Sequence, residues 1–220
     1  MIPNLPPSPR ILDIGCGPGM QTLELARISG GHITAVDNHQ PFLDQLAESV
    51  RAEGLSDRIE IINASMFDLP FEDESFDLIW CEGAIFIIGV PEGLKQWKRL
   101  LKPGGFLAFT ETAWIRPNPA QEVRDFWQIY PALTDIPGNL QIIREAGYET
   151  IGHFILPASD WWDHYYGPLE ERMPMLREEY AGNAPAQPTL DFTDLEMDIH
   201  RRFSDYYSYV FYIMRKPVGR

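Results

Sequence analysis

The sequence predicts an α/β fold, a doubly wound and mostly parallel sheet with helices packed on both faces. Three observations carry that expectation. Apolar runs of strand length alternate with stretches of helical periodicity through the first half of the chain. The first of those strands runs straight into a turn holding Gly15, Gly17 and Gly19, a place where a ligand can approach the backbone. A length of 220 residues with 45% hydrophobic content is enough for one full α/β core.

The elements follow in order. "RILDI" from Arg10 is a buried strand. "GMQTLELARIS" is a helix, with Met20, Leu23 and Ala26, joined by Leu25 and Ile28, at helical spacing. "HITAVD" is the second strand, and "QPFLDQLAESVRAEG" the second helix, opened by Pro41 and stopped by Gly54. "RIEII" and "SFDLIWC" are the third and fourth strands, and "PEGLKQWKRLL" is the helix that follows them. "KPGG" turns the chain into a fifth strand, "FLAFTET".

Beyond Trp114 two more helices are expected, in "QEVRDFWQIYPAL" and in "PGNLQIIREAGY", the latter bounded by Pro137 and Gly147. "ETIGHFILP" is the sixth strand and "YYSYVFYIMRK" the last. Between them a helical insert covers about residues 158–204, too long for a simple connection. Residues 1–220 read as a single domain, with one half at 10–113 and a second at 114–220 that carries the insert.

The formal charge of −14 makes nucleic acid an unfavourable partner and disfavours anionic membranes, while a small neutral or cationic ligand is easier to bind. No apolar run approaches the roughly 20 residues that span a bilayer, and "MIPNLPPSPR" has no signal-peptide core. Cys16 and Cys81 have no metal-ligand spacing and suit reduced thiols in a cytoplasmic protein.

The glycines narrow the ligand. A dinucleotide fingerprint needs glycine at its sixth position, where Met20 stands. Asp13 would repel a pyrophosphate, with no compensating Lys or Arg nearby in the sequence. S-adenosylmethionine has no phosphate, carries a sulfonium and an ammonium, and can present its carboxylate to helix-terminal amides. Asp37, ending the second strand, can accept from both hydroxyls of a ribose, or alternatively cap the following helix.

Taken together, "LDIGCGPG", "AVD", "SMFDLPF", "FDLIWCEGA" and "LKPGGFL" resemble the class I S-adenosylmethionine-dependent methyltransferases. They are most similar to the small-molecule branch that includes quinone-biosynthesis type enzymes. The motifs run from Arg10 to Glu111, close to half the chain. The resemblance implies a seven-stranded sheet with the last strand antiparallel, a cofactor-binding first half and a substrate-side second half. It implies cofactor-binding roles for Asp13, Gly15, Cys16, Gly17, Gln21, Asp37, Asn38, Ser65, Met66 and Cys81. Gly15 and Gly17 would meet the methionine moiety through backbone, Asp13 the ammonium, Asp37 the ribose, and Ser65 with Met66 the adenine.

There are departures. Many relatives carry aspartate where Ser65 stands, and "WCEGAI" replaces the Asn-Pro-Pro-Tyr type of motif used on nucleic-acid and protein amides. Relatives commonly have a helix before the first strand, whereas the prolines at positions 3, 6, 7 and 9 disfavour one here. A site left open on that side is covered by a second subunit, as in a homodimer, or stays partly exposed.

The expected activity is methyl transfer to a small molecule. An NAD(P)-dependent oxidoreductase and a non-catalytic S-adenosylmethionine-binding protein are the alternatives. Glu82, at the carboxyl end of the fourth strand, is a candidate catalytic base, or else a partner of the cofactor ammonium. His164 is a second candidate base, within "SDWWDHYYGPL", where Trp161, Trp162, Tyr165 or Tyr166 would line an acceptor pocket or pack as core. His32 reads as structural, His39 as near the ribose, His153 as a strand residue and His200 as lying on a solvated helix face.

Overall fold

The alternation of short apolar runs and helical stretches folds as expected in the computed structural model, which describes residues 2–219. The first half holds β1 (Arg10–Ile14), α1 (Met20–Ser29), β2 (His32–Asp37), α2 (Gln40–Ala52), β3 (Ile59–Asn63), β4 (Phe76–Cys81), α3 (Val90–Trp97) and β5 (Leu101–Trp114). Then come α4 (Gln121–Phe126), β6 (Thr134–Asp135), α5 (Ile136–Glu145) and β7 (Glu149–Ile155). The insert is α6 (Ala158–Trp161), a π-helical turn (Trp162–Tyr166), α7 (Gly167–Glu179) and α8 (Gln187–Phe203), before β8 (Tyr207–Arg215). By its internal packing the chain divides into two compact units. One holds the residues up to Glu111, Pro137–Phe154 and those from Phe211 onward; the other holds Thr112–Ile136 and Ile155–Val210.

The sheet runs in the order β3-β2-β1-β4-β5-β8-β7, with the two-residue β6 added beside β5. β1 pairs in parallel with both β2 and β4, and β4 with β5. β8 runs the other way: Gly104 N–H donates to Lys216 C=O at 3.0 Å, and Lys216 N–H returns to Gly105 C=O at 2.8 Å. Those two bonds also draw Lys102–Gly105 into β5, although the segment reads as a turn ahead of the strand.

In the first unit, Ile11, Leu12 and Ile14 of β1 and Ile33 of β2 are fully buried, as a strand flanked on both sides requires. Each such side chain contributes about 1.5–3 kcal/mol on burial. α2 docks through Leu43, Leu46 and Val50, which lie on one helical face. α1 departs from its sequence pattern. Its buried residues are Thr22, Leu25 and Ala26, while Met20 and Ile28 are exposed. α3 buries Val90, Leu94 and Trp97, and the Trp97 indole N–H donates to Met66 C=O at 3.1 Å, which anchors the loop after β3.

The second unit has two apolar clusters. Val123, Phe126, Ile199 and Tyr207 form one; Tyr166, Met173, Leu190 and Met197 form the other. His200 lies between them and corrects the expectation of a solvated histidine. It is 1% exposed, with ring centroids 4.8 Å from Tyr166, 4.9 Å from Trp161 and 5.5 Å from Tyr207. Neither ring nitrogen has a hydrogen-bond partner among the described residues, and burial pulls the imidazole pKa down to about 4. The aromatic walls come from segments remote in sequence, so α8 alone did not reveal them.

A depressed histidine pKa contributes stability that is present above about 6.5 and lost as the pH falls toward 4. His200→Phe should therefore gain on the unmodified protein at acid pH, by on the order of 2–3 kcal/mol. Denaturant unfolding at pH 4.5 and 7.5 measures this. An identical pH dependence in both proteins would mean that another group titrates.

Candidate cofactor-binding site

The carboxyl ends of β1, β2 and β4 bring the candidate residues together within the first unit. In register, Asp13 lies beside Ala35 of β2 and Trp80 of β4, and Ile14 beside Val36. β1 then gives way to a turn that β2 holds in place. Val36 C=O accepts from Gly15 N–H at 2.8 Å and from Cys16 N–H at 3.0 Å. Gly17 N–H donates to Asp37 Oδ2 at 3.0 Å, and His39 N–H to Asp37 Oδ1 at 2.9 Å. Asp37 thus ties down the turn and the approach to α2 at once. Each of its oxygens keeps a second lone pair for a ligand hydroxyl.

Two glycines are required by geometry. At Gly15 φ is +73°, and a Cβ would stand 2.4 Å from the Cβ of Ala84. At Gly19 φ is +91°, and a Cβ would stand 2.1 Å from Leu46 Cδ1, so α2 packs directly on the turn.

A cleft of about 240 Å³ opens beside this turn. Six of the candidate residues line it: Gly15, Gly17, Asp37, Asn38, Ser65 and Met66. Phe42, Phe67 and Ile87 complete its apolar side and are 40%, 54% and 56% exposed. The sequence reading missed these three. They stand five residues after Asp37, two after Ser65 and five after Glu82, and apolar residues that close to polar candidates were the available signal.

The remaining candidates lie beneath or beside the cleft. Asp13 is 2% exposed and accepts from Thr22 Oγ1 at 2.6 Å. Cys16 and Cys81 are buried, and burial pushes both thiols up, so neither is a thiolate nucleophile at neutral pH. Glu82 is half-buried; Trp80 Nε1–H donates to its Oε2 at 3.1 Å and Gln21 Nε2–H to its Oε1 at 3.4 Å. His164 belongs to the second unit and is exposed on the π-helical turn, whereas Tyr166 is buried in that unit's core.

The electrostatics have one sign. Burial raises the Asp13 carboxyl to about 7; the charges of Glu82 and Asp37 push in the same direction, and only the Thr22 hydrogen bond opposes them. Its contribution to stability is therefore present below its ordinary pKa of 3.8 and lost as the pH rises through 7. Three carboxyl groups around the turn suit a ligand that carries positive charge. They do not suit a pyrophosphate. No cluster of three metal-ligating side chains occurs among the described residues.

Gly15→Ala should cost about 1–2 kcal/mol for the left-handed backbone. Displacing Ala84 adds a further roughly 1–3 kcal/mol. Ala84→Gly in the same chain should recover the second part and leave the first. Unfolding free energies of the single and double variants measure this, and equal values would place the strain elsewhere.

Comparison with known proteins agrees with the fold and the motifs. Residues 11–105 match a family model described as a methyltransferase domain. A demethylmenaquinone methyltransferase of Clavibacter sepedonicus is 35% identical over 122 residues, covering 55% of this chain and 47% of that protein. A Geobacter sulfurreducens S-adenosylmethionine-dependent methyltransferase, solved with S-adenosylhomocysteine, superimposes with TM-score 0.80 at 23% identity, covering 96% of this chain and 85% of that one. The cyclase SpnF superimposes with TM-score 0.73 at 25% identity, covering 98% and 78%. The chain spans less than half the length of the first curated relatives it matches. Residues 11–105 are thus a methyltransferase domain, and the chain's motifs and strand order are similar to those of the class I S-adenosylmethionine-dependent methyltransferases.

Proposed function

We propose that this protein transfers the methyl group of S-adenosylmethionine to a small-molecule acceptor. One observation carries the reading: a glycine turn tied to Asp37 and set over a buried carboxyl, Asp13, that lacks a cation. In this reading Asp37 takes the ribose hydroxyls, with Asn38 beside the adenosine and Ser65 and Met66 at the adenine. Gly15, Cys16 and Gly17 offer backbone groups to the amino-acid end, with Asp13, Gln21 and Cys81 around it. The bound donor supplies an activated methyl group. The protein's share is to align the acceptor with it, and positioning of that kind is worth roughly 7–11 kcal/mol. A base is needed only for an acceptor that arrives protonated, and Glu82 and His164 are the two groups proposed for that step.

The acidic surface favours a small molecule over nucleic acid, and among the described residues no helix is long and apolar enough to cross a membrane. We infer a cytoplasmic setting from the two buried free thiols. A second reading is a protein that binds the donor without transferring its methyl group, and a cyclase of similar fold favours it by showing that the fold is not confined to methyl transfer. Turnover with a panel of acceptors separates the two.

S-adenosylhomocysteine should bind and stabilise the protein by about 2.7 kcal/mol at a hundredfold excess over its dissociation constant, and NADH should not. Asp37→Ala removes two hydrogen bonds to a charged group, each worth roughly 1.5–3 kcal/mol, and affinity should fall accordingly. Calorimetry decides; unchanged affinity would mean that the ribose lies elsewhere.

A second outcome follows from Asp13. The arriving positive charge lowers its pKa from about 7, so binding near pH 6 to 7 should release a proton and tighten as the pH rises through that range. Calorimetry in buffers of different ionisation enthalpy reports the released proton. Asp13→Asn should abolish it, and a proton released undiminished by that variant would assign it to another group.

A further inference from the structure

Glu82 has two duties open to it, taking a proton from the acceptor or meeting the positive charge of the donor. Its surroundings distinguish them. Trp80 lies in β4 and Glu82 in the bend that follows the strand, and a hydrogen bond brings their side chains together. The Trp80 ring packs on Phe211 of β8, with centroids 4.8 Å apart, which fixes the direction of its N–H. That N–H donates to Oε2, and the amide of Gln21, in the first turn of α1, donates to Oε1. The carboxylate is therefore held between a donor from β4 and a donor from α1. There its charge acts on Asp13, which is in register with Trp80.

Donors on both oxygens fix the direction of the carboxylate, which suits a partner for a stationary positive charge. A fixed anion next to a second, buried carboxyl is itself unfavourable until a cation arrives. The preparation is for charge recognition.

We propose that Trp80 is a positioning residue: with Gln21, its indole N–H holds the Glu82 carboxylate as the anionic partner of the donor's ammonium group, not as a base for the acceptor. This rests on the methyltransferase reading above.

The test is calorimetric and needs no acceptor. S-adenosylhomocysteine keeps the ammonium and lacks the sulfonium, so it is the primary probe, with S-adenosylmethionine beside it. Trp80→Phe keeps an aromatic ring against Phe211 and removes the N–H together with part of the indole's volume. Its affinity for both ligands should fall about tenfold, the scale of one hydrogen bond to a charged group, with the melting temperature nearly unchanged. Glu82→Gln should fall at least as far. The double variant should bind no more weakly than Glu82→Gln alone, because the indole acts only through that carboxylate.

Gln21→Met provides a second route if Trp80→Phe folds poorly, with a smaller loss of about threefold for its longer hydrogen bond. Wild-type affinity in Glu82→Gln, additive losses in the double variant, or a loss confined to S-adenosylmethionine would each overturn the assignment. If the unmodified protein binds neither ligand, the functional reading fails first, and this one falls with it.

Discussion

Three hydrogen bonds between the end of β2 and the glycine turn hold the site together. Val36 C=O takes both Gly15 N–H and Cys16 N–H, and the Asp37 carboxylate takes Gly17 N–H. They let β1 end abruptly, curl through positive φ and enter α1 without leaving buried amides unpaired. Because β1 sits between β2 and β4, the same bonds fix the turn relative to the loops after both neighbours. Ala84 and Leu46 then close on the turn so tightly that only glycine fits at positions 15 and 19. The strand order 3-2-1-4 thus places Asp37 and Glu82 on opposite sides of one short loop.

Burial at two places shifts an ionisable group toward its uncharged form, with different surroundings. Asp13 is pushed toward protonation because water is excluded and other carboxylates are near, an arrangement that a cation relieves. His200 is neutral because aromatic rings surround it and no acceptor reaches its nitrogens among the described residues. The first group is poised toward a ligand. The second is packed within the core of its own unit, and nothing comparable waits to ionise it.

Much of the first half was legible in the sequence because its signals are local. A strand that ends in spaced glycines, a strand that ends in aspartate and a helix opened by proline each carry their meaning within a dozen residues. Asp13, Gly15, Gly17, Asp37, Asn38, Ser65 and Met66 all come from such stretches, and the structure gathers them at or beneath one turn. What escaped notice depends on partners far away in the chain. His200 is buried by rings from residues 161–166 and 207. Lys102–Gly105 becomes strand because β8 returns more than a hundred residues later. Met20 and Ile28 fit a helical period, yet face solvent because α1 turns Thr22, Leu25 and Ala26 to the sheet. Periodicity shows that a face exists without showing which of two overlapping faces the fold will use.

The apolar rim of the cleft has a consequence for how the protein behaves in solution. Phe42, Phe67 and Ile87 stand exposed around the opening, with Phe86 also exposed next to Ile87. Apolar patches of this kind favour self-association. The formal charge of −14 opposes it by keeping copies apart. Salt screens that repulsion and leaves the apolar rim unchanged, so self-association should strengthen as ionic strength rises.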